Sequence, residues 1–307
     1  MLNLQTGISK GKSSNSILRA LGFSLSLLCC LYVFRELIYD DSKLTHGVPI
    51  QFLWPLVGAT GCWVLVNTAL GVGWALMVRA LGCEVGFMAS IILSFRTQFA
   101  KYLPGNVFHH IGRVVLAKQL GIKAAIAGAA TVMESIALVL VAGLIGLSFL
   151  FTQGYGIPAL VVVVSGAFVL VIVLINSPLR RKLGITQSLK AQHLHWGLFG
   201  SLSYVFVFFL QAAMFALYAG VLAEPLQLSF VRIFEMVSVT WAAGFIVIGA
   251  PGGVGVREAA YSLFSMSSEM NVNLLFVASW MRISSVLGDI FCFGLSVVFL
   301  KRPQKSN

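Results

Sequence analysis

Charge is scarce in this sequence. Of 307 residues only 10% are Asp, Glu, Lys or Arg and 58% are apolar, against roughly 25% charged in soluble domains. That balance excludes a soluble globular protein. No long polar stretch remains to build a soluble catalytic domain beside the apolar part, so a single membrane domain is expected. Acidic residues are scarcer still, 10 against 21 basic ones, for a net charge of +11. In a soluble chain that excess would point to nucleic acid; here the basic residues first have to be assigned to sides of a bilayer, and no nucleic-acid partner is expected. There are five cysteines, Cys29, Cys30, Cys62, Cys83 and Cys292, without CxxC spacing. This excludes a disulfide framework and a thiolate metal site, and leaves packing as their role. GxGxxG and the P-loop lysine motif are both missing, so nucleotide hydrolysis is not expected. Neither cofactor nor metal is expected.

What the sequence has in abundance is apolar runs near the roughly 20 residues that span a bilayer. Full spans fall at 17–39, 52–78, 122–150, 157–177, 196–220 and 273–300. The first lacks a small-residue cleavage site and reads as an uncleaved span after a polar tail, 1–16. Two segments resist this treatment. Residues 86–121 begin apolar and then carry Arg96, Lys101, Pro104, Gly105, His109, His110, Arg113 and Lys118; residues 230–270 do the same with Arg232, Glu235, Pro251, several glycines, Arg257 and Glu258. If both dip into the membrane and return to the side they came from, every strongly basic loop is cytoplasmic, as are both termini, including the 301–307 tail. Counting either as a simple span reverses the loops after it. The fold class expected is an all-α polytopic membrane protein of six full spans plus two re-entrant helical hairpins, in the inner or plasma membrane.

The two odd segments resemble each other. "LPGNVFHHIGR" at 103–113 and "APGGVGVRE" at 250–258 share a PG-x-V core followed by arginine, and "TVMESIALVL" at 131–140 can be laid over "SWMRISSVLG" at 279–288 with a shift of 148. With one hairpin on each side, these read as an inverted repeat of halves 17–150 and 157–300 within one 17–300 domain.

Proline removes an amide donor and glycines let the backbone turn closely, so "GAPGGVGVREAAYS" at 249–262 reads as a helix break with a restart near Val254. Irregular backbone at membrane depth has to be buried in protein or line a wet cavity. A helix start with an arginine beside it suits an anion, phosphate above all. Pro104, Gly105, Asn106 and Arg113 repeat the device of Pro251, Gly252, Gly253, Arg257 and Glu258, with Arg113 about two turns into its helix and Arg257 about one. Such breaks also serve as plain kinks; it is the matched pair that points to a transporter site. Glu134 and Arg282 are equivalent in the repeat and sit within spans, where a lone charge costs about 2.5–3.5 kcal/mol. They are expected to face each other or a central cavity, with Asp289 on the same helical face as Arg282. Arg232 and Glu235 read as solvated near the outer interface. His109 and His110, being adjacent, point to different helix faces and suit a headgroup contact better than a metal; His193 and His195 lie in a basic loop.

"KYLPGNVFHHIGRVVLAKQLGI" at 101–122, "MES" at 133–135 and "PGGVGVREAA" at 251–260 resemble the lysylphosphatidylglycerol synthase transmembrane, flippase-like, domain family, over about residues 15–300. The resemblance implies lipid translocation or the handling of a lipid phosphate. Pro104, Gly105, Arg113, Glu134, Pro251, Gly252, Gly253, Arg257 and Glu258 carry over as motif positions. The soluble aminoacyl-transferase domain of the synthase is not in this sequence, so lysyl transfer is not expected. Three readings follow. A flippase-like transporter of an anionic or polyprenyl-phosphate-linked lipid ranks first, with cell-envelope biosynthesis enzymes as partners. A polyprenyl-phosphate-dependent glycosyltransferase using Asp40 and Asp41 ranks second, and an accessory subunit of lipid or glycan synthesis third.

Overall fold

The computed structural model describes residues 50–102, 107–151, 194–222, 226–247 and 250–300, together with Ser24, Leu27, Leu28, Cys30, Leu31, Tyr32, Phe34 and Arg35 of a helix ahead of them. The expected span 157–177, both tails, Asp40, Asp41, His193 and the Pro104–Gly105–Asn106 break lie outside the described residues, as does most of the span 17–39.

The described residues are helical, with no strand among them. Four helices are long and apolar enough to cross a bilayer: α1 (Leu53–Ala80), α4 (Ala124–Phe151), α5 (Leu194–Ala219) and α8 (Ser268–Leu300). They match the four expected spans that fall within the described residues. Of the most apolar stretch of α1, 61% is buried, against 33% for α8, which puts α1 in the interior and α8 at the periphery. Accordingly α1 packs along α5 and touches α4 and α8. One end of α1 joins an apolar cluster with α4 and α5 through Trp74, Met77, Val141, Tyr204 and Phe208. The other joins a cluster with α5, α6 and α8 through Phe52, Phe215, Tyr218, Met236 and Leu274.

The two charged segments break into short helices. Residues 87–117 form α2 (Phe87–Gln98), a tight turn at Phe99–Tyr102 and α3 (Phe108–Ala117). Residues 230–261 form α6 (Phe230–Ile246), a turn at Pro251–Gly253 and α7 (Val256–Tyr261). None of the four is as long as the roughly 20 residues a span needs. α2 lies on α1 and α8, α3 on α2 and α4, α6 on α4 and α5, and α7 on α6 and α8, and the turns of the two pairs touch each other. The second break works through left-handed backbone at Gly252, Gly253 and Gly255 (φ 58°, 72° and 79°), which glycine adopts without the steric cost of a Cβ. Three left-handed residues delay the restart to Val256, two residues beyond the expected Val254.

Candidate functional site

Asp289 on α8 is fully buried and takes four donors from two elements, α1 and the Phe99–Tyr102 turn. Trp63 Nε1 and Asn67 Nδ2, one turn apart on α1, donate to its Oδ1 at 2.9 and 3.0 Å. The Tyr102 hydroxyl donates to Oδ2 at 2.7 Å, and Lys101 Nζ lies 2.6 Å from the same oxygen. A buried carboxylate is tolerated when its lone pairs are filled in this way. The effect is to pin the α2–α3 turn to the last span.

The expected contact between Glu134 and Arg282 is not what forms. Glu134 on α4 pairs with Arg113 on α3, and Arg113 Nη2 also donates to Ser94 on α2 at 3.3 Å. Both members of this pair are almost wholly buried. Arg282 instead donates from Nη2 to the Gly252 carbonyl at 2.9 Å, stands 3.9 Å from Glu258 Oε1 and lies over the Tyr102 ring. The reason is proximity: each charge finds a partner on the short helix packed against its own span. Asp289, expected beside Arg282, is held by Lys101.

Arg257 is the second residue of α7 rather than a full turn in, and α7 has only six residues, too few to sum an appreciable dipole. Its side chain runs through a slot whose walls are glycine: a Cβ on Gly253 would lie 2.8 Å from its Nε and 3.0 Å from the Gly244 carbonyl. The guanidinium ends over the Trp241 ring, 5.4 Å from the centroid. Among the described residues it makes no ion pair, and its Nε has no hydrogen-bond partner.

These parts enclose one cavity of about 70 Å³ between the two helix pairs. Lys101, Arg113, Glu134, Gly252 and Arg257 all line it, with His109 and His110 at its edge. The two imidazoles do not diverge as their sequence positions imply; rotation about their side-chain bonds brings the ring centroids to 3.8 Å. Among the described residues no group of three or more His, Cys, Asp or Glu is gathered for a metal. Several polar atoms of the lining residues are buried without a partner: Nε of Arg113 and Arg257, Oε1 of Glu134, Nδ1 of both histidines and Nε2 of Gln211. Such a concentration marks a site built for water or a polar ligand. Lys101 is matched by Asp289 and Arg113 by Glu134, which leaves the cavity wall with the positive charge of Arg257. Arg232 and Glu235 stay apart from the cavity, 3.8 Å from each other, and Glu235 is buried (3% exposed) rather than solvated. His195 is exposed at the start of α5.

Sequence reasoning named Lys101 only among the charges of the 86–121 segment and passed over Tyr102, Trp63, Asn67 and Gln211. A signal existed for two of them, since Asn67 and Gln211 are lone amides inside apolar spans, where polar side chains need a partner or a cavity.

The family model for the lysylphosphatidylglycerol synthase TM region matches residues 17–280, most of the chain. The chain belongs to that family. No curated protein matches it. Membership, together with the apolar helices, makes this a multi-pass membrane protein of the lysylphosphatidylglycerol synthase TM family, with a function related to membrane lipid.

Proposed function

We propose that this family member moves an anionic, phosphate-bearing lipid between leaflets, with the α2–α3 and α6–α7 pairs acting as re-entrant gates. One observation carries the reading: Arg257 reaches the cavity shared by the two pairs without a carboxylate of its own. A single uncompensated guanidinium complements the single charge of a phosphodiester, and planar Arg–phosphate hydrogen bonding is stronger and more directional than a neutral contact. The unpartnered Gln211 amide and histidine nitrogens supply further polar atoms for the remaining oxygens. Pro251, Gly252 and Gly253 form the break around which the second gate bends, and the sequence motif of Pro104, Gly105 and Asn106 is the expected counterpart in the first. The repeat relation between the halves gives each gate its own side of the membrane, which is what alternate exposure of one site requires.

The test is translocation of fluorescent phosphatidylglycerol and of a polyprenyl phosphate by purified protein in vesicles. Losing a charge-assisted contact of about 1.5–3 kcal/mol, Arg257→Ala slows translocation by about 10- to 100-fold, whereas Asp40→Ala with Asp41→Ala leaves it unchanged. Sugar transfer abolished by the double aspartate change, with no lipid movement in any variant, would replace the transporter with the glycosyltransferase reading.

A further inference from the structure

Two imidazoles, His109 and His110, stand at the edge of the central cavity in the first turn of α3. His109 is buried (8% exposed) and its neighbour half-buried. Neither is held as a structural histidine is held. A core histidine is fixed by hydrogen bonds that settle which ring nitrogen carries the proton, and here Nδ1 of both rings is buried without a partner. A neutral imidazole has one donor nitrogen and one acceptor, so either tautomer leaves that atom unmet. An imidazolium donates from both nitrogens, and an anion in the cavity would accept.

The charges around the pair decide when such a cation is tolerated. Lys101 of the Phe99–Tyr102 turn and Arg113, one turn further along α3, act on it directly, while Glu134 of α4 and Arg257 of α7 complete the charged wall of the cavity. Arg96 of α2, Lys118 after α3 and Lys123 before α4 are exposed and do not line it. Lys101 and Arg113 have their own carboxylates, Asp289 and Glu134. A proton on an imidazole therefore adds a second uncompensated cation to that of Arg257 in one small space. It becomes favourable when an anion enters, because opposite charges within about 4–6 Å stabilise each other, and a cavity of about 70 Å³ keeps every wall close to its occupant. The two rings touch, with centroids 3.8 Å apart, so a charge on one opposes a charge on the other and the pair holds a single proton. Glu134 does not compete for it. Its Oε2 is bound to Arg113, and protonation would leave that arginine buried and unmatched.

We infer that the His109–His110 pair is a proton-binding site filled together with the anion site, and that proton and lipid anion cross the membrane together. The proton comes from water on the side to which the cavity is open, joins a ring nitrogen, and returns to water on the other side when the anion leaves; no bond to the lipid is made or broken. This rests on the translocation reading and gives it an energy source, a pH difference across the membrane. A singly charged lipid accompanied by one proton carries no net charge, so the membrane potential neither drives nor opposes its passage.

The experiment is calorimetric titration of the purified full chain in detergent with dihexanoyl phosphatidylglycerol, whose phosphodiester stays singly charged between about pH 5 and 8, the range in which histidine titrates. Repeating it in buffers of different ionisation heat counts the protons taken up per lipid bound. The expected result is an uptake reaching about half a proton or more within that range, and an affinity that rises as pH falls by up to about tenfold per unit. His109→Gln with His110→Gln abolishes the uptake per lipid bound, even where it also weakens binding. Zero uptake by the unaltered protein overturns the inference whether or not the variant folds, and uptake that persists in the folded variant overturns the assignment to these two residues. In vesicles, fluorescent phosphatidylglycerol collects several-fold in the leaflet facing the alkaline side, and a protonophore abolishes the difference. An even distribution with Arg257-dependent translocation removes the proton coupling alone; no translocation by the unaltered protein under any gradient removes the transporter and the coupling with it.

Discussion

The α2–α3–α4 and α6–α7–α8 regions carry the same device with its signs exchanged. In the first, the short helix bears the cation and the span the anion, Arg113 to Glu134; in the second, the short helix bears the anion and the span the cation, Glu258 to Arg282. Their settings differ more than their chemistry. The first pair is nearly free of solvent (2% and 3% side-chain exposure) and hydrogen-bonded. The second is loose at 3.9 Å, more open (16% and 9%), and its arginine spends its best hydrogen bond on the Gly252 carbonyl. The first unit is thus locked and electrically closed. Each unit keeps one carboxylate oxygen without a partner, but the second also has an arginine to spare, Arg257, so an anion has more to bind there.

The sharpest way to break this comparison is to remove one member of each pair. Glu134→Gln leaves the Arg113 charge buried and unmatched, at a cost of about 3–5 kcal/mol, read as a large drop in melting temperature or loss of folded protein; Arg113→Met with Glu134→Leu, which removes both charges, restores most of it. Asp289→Asn comes next. An amide oxygen still accepts from Trp63 or Tyr102, but Lys101 loses its counter-ion, for about 1–3 kcal/mol, visible in the same melting experiment and as faster proteolysis near the α2–α3 turn. Smallest is Glu258→Gln, because a loose, partly exposed pair contributes about 0–1 kcal/mol. A melting shift at Glu258 as large as at Glu134 would erase the distinction between a locked and an open unit.

Much of this was legible beforehand. Composition gave the class, the length of apolar runs gave the four of six expected spans that lie among the described residues, and proline and glycine beside charge marked the two segments that break into short helices. Arg113 and Arg257, named from matching positions, do line one cavity. Glu134 lines the cavity, one of the two arrangements expected, but it does not meet Arg282, and that has a physical origin. Residues equivalent in a repeat occupy equivalent places in different halves, and equivalence is not contact; each charge met the oppositely charged residue 21 or 24 positions before it, on the short helix packed against its own span. The bond from Lys101 to Asp289 joins residues 188 apart with no shared pattern, and only the folded arrangement of α1, α8 and the α2–α3 turn brings them together. The left-handed glycines that shift the start of α7 could be suspected from "PGGVG" but not counted.

The claim most exposed to test is that the two helix pairs enter from opposite faces of the membrane to share one cavity. Glu84, exposed at the base of α2, and Met266, 88% exposed between α7 and α8, mark those faces. With the native cysteines replaced, single cysteines are placed at each site and labelled by a membrane-impermeant maleimide in right-side-out and inverted vesicles. Glu84→Cys reacting only from the cytoplasmic side and Met266→Cys only from the outside is the predicted result; both reacting from the same side would contradict it.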